Sequence, residues 1–395
     1  MNVTQIRELV NSATTATLGE SAVLEEDLSN VVDLGKAVFS ADKVDNYVKK
    51  LVNQIGKVVF HDRVYSGNVP SVLMDSWEFG SVLEKVTAAL PEATENDSWK
   101  LTDGTDYSPN TFHQPDVSAK FFNSKTTFEI PLSFTEMQVK ESFTSANQLN
   151  GFLSMLTTSV QNSMTVKQDA LIMRTINNMI AETFVNDLGT VDAGPPVVLT
   201  VDTTDTSVKC VNLLKLYNAE FGKSLTAVKC LTDPDFIRYA TYTISLYQDR
   251  MARISSLFNV GGTEKFTPKD SQHIVLLSDF AKSAETFLLS STYHADRIAL
   301  PSHETVPYWQ GSGTGYAFDD VTAINVVTSG SSEQPVDVTG VIGVAFDRMA
   351  LGVSNLDRRV TTNYNPKAEF YTNFYKFDAG FYNDLDENFV VFFVG

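Results

Sequence analysis

Histidine is the side chain that most readily moves protons near neutral pH, and the chain has five: His61, His113, His273, His294 and His303. They are scattered, with no HExxH and no spacing that would gather ligands around a metal. His303 and Glu304 adjoin in PSHETVPYW, but the proline-flanked setting predicts a loop and no catalytic pair. The stretch GSGTGY, residues 311–316, has the glycines of a phosphate-binding loop. Its spacing is G-x-G-x-G and no lysine follows, so a surface loop is expected. Asp319 with Asp320, and DLDEN at 384–388, could offer carboxylates to a cation. The second lacks the glycine and downstream glutamate of a calcium loop, and solvated turns are expected at both. Cys210 and Cys230 lie in apolar contexts, KCVNLL and AVKCLTD, which favours buried free thiols.

The totals narrow the classes further. Of 395 residues, 43% are apolar and 20% charged, an ordinary globular balance. At this length at least two packing units are expected. Thirty Lys plus Arg against 48 Asp plus Glu leave a net charge of -18, the wrong sign for gripping a phosphate backbone. The densest basic spot, Arg358 with Arg359, reads as a solvated pair. The opening MNVTQIREL lacks the basic-then-apolar pattern of an export signal, and no run approaches the ~18 to 20 apolar residues of a membrane span.

Elements must position whatever surface matters. Residues 1–35 read as an acidic arm with a short amphipathic helix at Ile6, Leu9 and Val10. A capped helix over 40–56 and a strand over 57–66 follow. Residues 67–133 are rich in turn residues yet carry Trp99, Tyr107, Phe112, Phe121 and Phe122, which predicts a long hairpin arm that needs a neighbour to lie on. From 144 to 187 apolar residues recur at three and four spacings without a proline, predicting a helix of up to ~40 residues. Beyond Pro195 and Pro196, residues 200–328 alternate helical stretches (SVKCVNLLKLYNAEF, DPDFIRYATYTISLYQDRMARISSLF) with strand-like ones (LTAVKCLTD, QHIVLLSDF, AINVVTS). The remainder is strand-dominated and closes on NFVVFFVG, an apolar run expected to be a core strand packed on the long helix.

Two functions from different classes fit this layout. A long helix, a long aromatic arm and an acidic terminal arm expose surface that a lone copy does not bury, which favours self-assembly. The alternative is an enzyme or small-ligand protein with a pocket in residues 200–328, using Tyr239, Tyr242, Arg250 and Arg253 on one helix.

The order of these elements resembles the major capsid proteins of tailed bacteriophages, with the Hong Kong ninety-seven type fold. VDNYVKKLVNQIGKVVF and AEFYTNFYKFDAGFYNDLDENFVVFFVG are similar to head proteins of small podophages of the phi-twenty-nine type. The resemblance implies an α+β capsid fold: an N-terminal arm with helix and strand at 1–66, an E-loop at 67–133 and a P-domain with spine helix at 134–196. A mixed α/β A-domain at 197–334 and P-domain strands at 335–395 complete it. It implies a structural virion protein, not an enzyme, that assembles into hexamers and pentamers of an icosahedral shell. Scaffold and portal proteins are the expected partners, with double-stranded DNA enclosed without specific binding and no membrane. No catalytic residue, cofactor or metal is expected, and the location is the virion, assembled in the host bacterial cytoplasm. Candidate subunit contacts are Trp99, Lys100, Tyr107, Phe112, Phe121 and Phe122. Deleting residues 92–115, the expected arm tip, should leave a folded subunit that forms no shells. Thermal melting and electron microscopy check this, and shells of normal geometry would refute it.

Overall fold

A computed structural model describes residues 10–15, 30–40, 47, 50, 69–74, 83–88, 91, 93, 100–105, 110, 114, 116–142, 144, 146–192, 198–289, 300–310, 315–328 and 335–395. Residues 10–15 are helical, as is Val31–Ser40, which takes in the end of the stretch expected as an arm. The expected strand over 57–66 and nearly all of the helix over 40–56 lie outside the described residues.

The long helix is Ala146–Leu188, 43 residues, or roughly 65 Å at 1.5 Å per residue. Its first half buries one stripe, Leu153, Leu156, Val160 and Met164. Its second half buries Leu171, Ile172, Ile176, Met179, Ile180 and Phe184, together with polar Thr175 and Thr183. Those two hydroxyls donate back to the carbonyls of Leu171 (2.8 Å) and Met179 (2.7 Å), so their burial leaves no donor unmet.

Two sheets use this helix. Strands β1 (Leu73–Met74), β4 (Lys125–Thr135), β13 (Leu351–Asn365) and β14 (Phe370–Asn383) form one, in the order β1-β13-β14-β4. Along β14 burial alternates, with Tyr371, Asn373, Tyr375 and Phe377 turned inward, the period-two signature of a sheet covered on one face. Phe134 on β4 meets Phe152 of the helix edge-on at 5.6 Å. Strands β7 (Cys210–Asn212), β8 (Gln272–Leu277), β9 (Glu304–Val306), β12 (Val341–Asp347) and β15 (Phe389–Phe393) form the other, in the order β7-β15-β12-β8-β9. Every residue of β15 and β12 is buried. Phe392 meets Tyr247 of helix Pro234–Met251 at 5.6 Å, while Phe393 meets Phe184 of the long helix at 5.0 Å. Successive side chains leave a strand on opposite faces, so both faces of β15 are covered. This explains an apolar run without alternation.

The second sheet therefore joins strands from either side of residue 335. Its core is one contiguous cluster with the C-terminal half of the long helix. That cluster also takes in Leu351, Val353 and Ala379 of the four-stranded sheet, while Phe134, Tyr371, Tyr375 and Phe377 of that sheet are buried outside it. Both sheets thus pack on one helix. Three short ribbons complete the fold: β2 (Leu83–Ala88) with β3 (Val117–Phe122), β5 (Gly189–Asp192) with β6 (Val198–Val201), and β10 (Ile324–Val327) with β11 (Pro335–Val338).

Local chemistry corrects three expectations. Within SVKCVNLLKLYNAEF, helix Leu213–Phe221 starts only after β7, because the Asn212 side chain accepts from the Lys215 amide (3.0 Å) and caps it. LTAVKCLTD is not a strand: Ala227–Cys230 makes one helical turn. Asp233 then caps the next helix, accepting from the amides of Asp235 and Phe236, with Pro234 in its first turn. No length remains there for a strand to reach a sheet edge. That helix ends at Met251, short of Phe258, where a bridge between Ser255 and Lys265 takes over. Both cysteines are free and buried, and burial pushes the Cys230 thiol up to about 12.

Glu304 is not in a loop but begins β9. Its carboxylate accepts from the Ser71 amide (2.7 Å), from the Ser71 hydroxyl and from His273 Nε2 (3.0 Å). Serine and histidine both address the carboxylate, which is a clamp geometry and not a nucleophile paired with its base. It ties the segment entering β1 to the edge of the second sheet. Partial burial opposes the charge, but Ser71 and His273 together hold the carboxyl below its ordinary value. A lowered acid stabilises the fold above its unfolded value of about 4.3, and that contribution disappears as pH falls through the lower folded value. Glu304→Gln is thus expected to lower the urea midpoint at pH 7, with the difference from the parent shrinking below about pH 4. Phe393→Ala should cost about 3–5 kcal/mol by the same measurement, whereas Phe121→Ala, on an exposed face, should change stability by less than about 0.5 kcal/mol.

Candidate functional site: a charge-seated hairpin

The β2–β3 ribbon carries two of the six residues expected to make subunit contacts, Phe121 and Phe122, and its register sorts its residues by face. Leu83 pairs with Phe122, Lys85 with Lys120 and Thr87 with Ser118. Burial alternates along β2, and Leu83, Lys85 and Thr87 form its more buried face. Two lysines directly opposite each other would destabilise an isolated ribbon. Here they share an acidic seat. Lys85 Nζ donates to Asp384 (2.6 Å) and Glu387 (2.7 Å), and Lys120 Nζ to Asp384 (3.1 Å) and Asp386. Lys265 completes the group on Glu387 at 3.1 Å. Phe122 lies against Tyr382 with ring centroids 5.0 Å apart.

DLDEN is therefore not a solvated turn. The Asp384 side chain is only 2% exposed. Burial works against its charge, but bonds and attraction from Lys85, then the Asp386 amide and Lys120, hold its carboxyl below the ordinary range. Burial lowers Lys120, yet bonding and attraction to Asp386 and Asp384 raise it on balance. Burial first, then Asp384, Glu387 and Asp347, push the Tyr382 phenol up to about 12. The loop is fastened from behind: the Leu385 carbonyl accepts from Gly261 (2.8 Å), and the Asp386 carbonyl from Thr263 (2.9 Å). A Cβ on Gly261 would run into the Asp386 carboxylate, so a side chain there would displace the partner of Lys120.

The opposite face of the ribbon, Glu84, Val86 and Ala88 against Phe121, Ala119 and Val117, is exposed and mostly apolar. Val86 is 61% exposed and Phe121 64%. Of the expected contact residues, Phe121 points outward, Phe122 turns inward onto Tyr382, and Lys100 is exposed. Trp99, Tyr107 and Phe112 lie outside the described residues. Sequence reasoning missed the seat. The available signal was its position directly before a fully buried strand, which places the turn against the core.

The residues of the enzyme alternative do not converge. Tyr239 and Tyr242 border a shallow basin with Tyr217 and Phe221, while Arg250 sits over the Tyr247 ring at 5.2 Å and Arg253 is exposed beyond the helix end. Eleven positions separate Tyr239 from Arg250, about 16 Å along the axis. Of GSGTGY, residues 311–314 lie outside the described residues and Tyr316 is exposed. No helix among the described residues is long and apolar enough to cross a membrane.

A family model for the Phi29-like phage major capsid protein matches residues 6–393. No curated protein matches the chain. Among solved structures, a chain in the capsid of Staphylococcus phage Andhra aligns with a TM-score of 0.50 and 12% identity, over 84% of this chain and 86% of that one. This is a likeness of fold. Chains in the capsid of cyanophage P-SCSP1u (TM-score 0.44, 10% identity, 84% and 91% covered) and in the mature capsid of bacteriophage PhiM1 (0.42, 9%, 84% and 86%) align more loosely. A long helix shared by two sheets, an outreaching ribbon with an exposed apolar face, and a family match over nearly the whole length agree: the chain belongs to the Phi29-like phage major capsid protein family, structural proteins that form the capsid shell with the Hong Kong ninety-seven type fold.

Proposed function

We propose that this chain acts without catalysis as the repeating subunit of an icosahedral shell of hexamers and pentamers around double-stranded DNA, and that the outward face of the β2–β3 ribbon lies on a neighbouring copy. The observation that carries this is the two-faced ribbon, with one face spent on its own subunit and the other left apolar at Val86, Val117, Ala119 and Phe121. Burial of such side chains contributes on the order of 1.5–3 kcal/mol each, so one repeated contact adds up across a shell. Phe121 heads the proposed contact set, with Trp99, Lys100, Tyr107 and Phe112 toward the arm tip. Phe122 supports the arm from within.

In this reading residues 67–133 are the E-loop, 134–196 and 335–395 the P-domain, 197–334 the A-domain near the capsomer axis, and 1–66 the N-terminal arm. The proposed A- and P-domains share the second sheet and so act as one rigid unit. A net charge of -18 suits a wall that encloses DNA without adsorbing it. Scaffold and portal proteins are the proposed partners, with assembly in the host bacterial cytoplasm and residence in the virion. Val86→Asp with Phe121→Asp should leave the melting curve unchanged while abolishing shells in negative-stain micrographs. Normal shells from this double variant would sink the contact assignment.

A further inference from the structure

We propose that the acidic seat is a latch that fixes the pose of the hairpin, holding it by charge and releasing it without unfolding the body of the subunit. The inference deepens the proposed function and rests on it only for its consequence in assembly.

The charges balance only when the hairpin is seated. Asp384, Asp386 and Glu387 against Lys265 leave the seat two charges negative, and Lys85 and Lys120 cancel them. Asp347, at the end of β12, adds to the negative surroundings of Tyr382. Each side needs the other. Without the seat, two ammonium groups face each other on a two-stranded ribbon, a structure only marginally stable alone. Without the hairpin, Asp384 loses both lysines, and Lys265 alone faces three carboxylates.

The two halves also differ in how they are anchored. The seat is tied into the core by the Gly261 and Thr263 bonds and by the Asp384 amide on the Ala350 carbonyl at 2.7 Å. Only Asn123 and Ser124 separate β3 from β4, which is held along its length by β14. Ser124 is itself pinned, its carbonyl accepting from the Phe381 amide of β14 (3.1 Å), so the pivot available is Asn123, beside a seat tied to the core. Beside the ion pairs, Phe122 on the inner face lies against Tyr382.

Amide hydrogen exchange on the unassembled full-length subunit tests this apart from any shell. In Lys85→Met with Lys120→Met, which keeps the stems and removes the charges, amides at 83–88 and 117–122 should exchange at least tenfold faster. Those at 341–347 and 389–393 should keep parental rates. Lys85→Arg with Lys120→Arg should restore slow exchange in the ribbon. Unchanged ribbon rates in the methionine variant would overturn the latch, as would acceleration spread equally through the core strands, or an arginine variant as fast as the methionine one. Failure of shell assembly with a latched hairpin would count against the proposed function and leave the latch standing.

Discussion

Phe392 and Phe393 are neighbours in the chain, and one reaches Tyr247 of the 234–251 helix while the other reaches Phe184 of the long helix. Through this pair, β15 is clamped between two helices. The strand's partners then follow: β7 runs parallel on one side and β12 antiparallel on the other. Both faces of β15 meet apolar neighbours, and FVVFF carries no polar side chain. The loop immediately before it inherits a fixed position, and that fixed position is what makes a buried acidic seat sustainable. The hairpin's pose thus traces back to hydrophobic burial some three hundred residues away in sequence.

The division of labour between charge and apolar surface on the ribbon is equally physical. Ion pairs in a mostly desolvated seat are directional and depend on matched numbers of charges. Apolar contact on the exposed face is non-directional and tolerates small changes of angle. The ribbon thus carries the first kind of interaction on its inner face and surface suited to the second on its outer face.

Much of this was legible in the sequence, for identifiable reasons. Apolar spacing located the long helix to within two residues at its start and one at its end, because packing on two sheets requires it. The terminal strand was legible because burial on both faces demands an unbroken run. The seat was not. DLDEN has the composition of a solvated turn, and its lysines stand 299 and 264 positions away. Nor could the sequence say that Phe121 faces out and Phe122 in, since the parity of a strand is set by its register and partners. LTAVKCLTD failed for a third reason, because the capping of the following helix by Asp233 outweighed strand-like composition.

One helix serving two sheets also has a mechanical meaning. A 43-residue helix is a stiff strut: the four-stranded sheet meets it at Phe152 and again at Thr175, and the five-stranded sheet meets it at Phe184. Load applied to the four-stranded sheet passes along the strut to the five-stranded sheet instead of being dissipated between them. Displacement of the ribbon then loads its junctions with the sheet, and the junction after β3 is only Asn123 and Ser124.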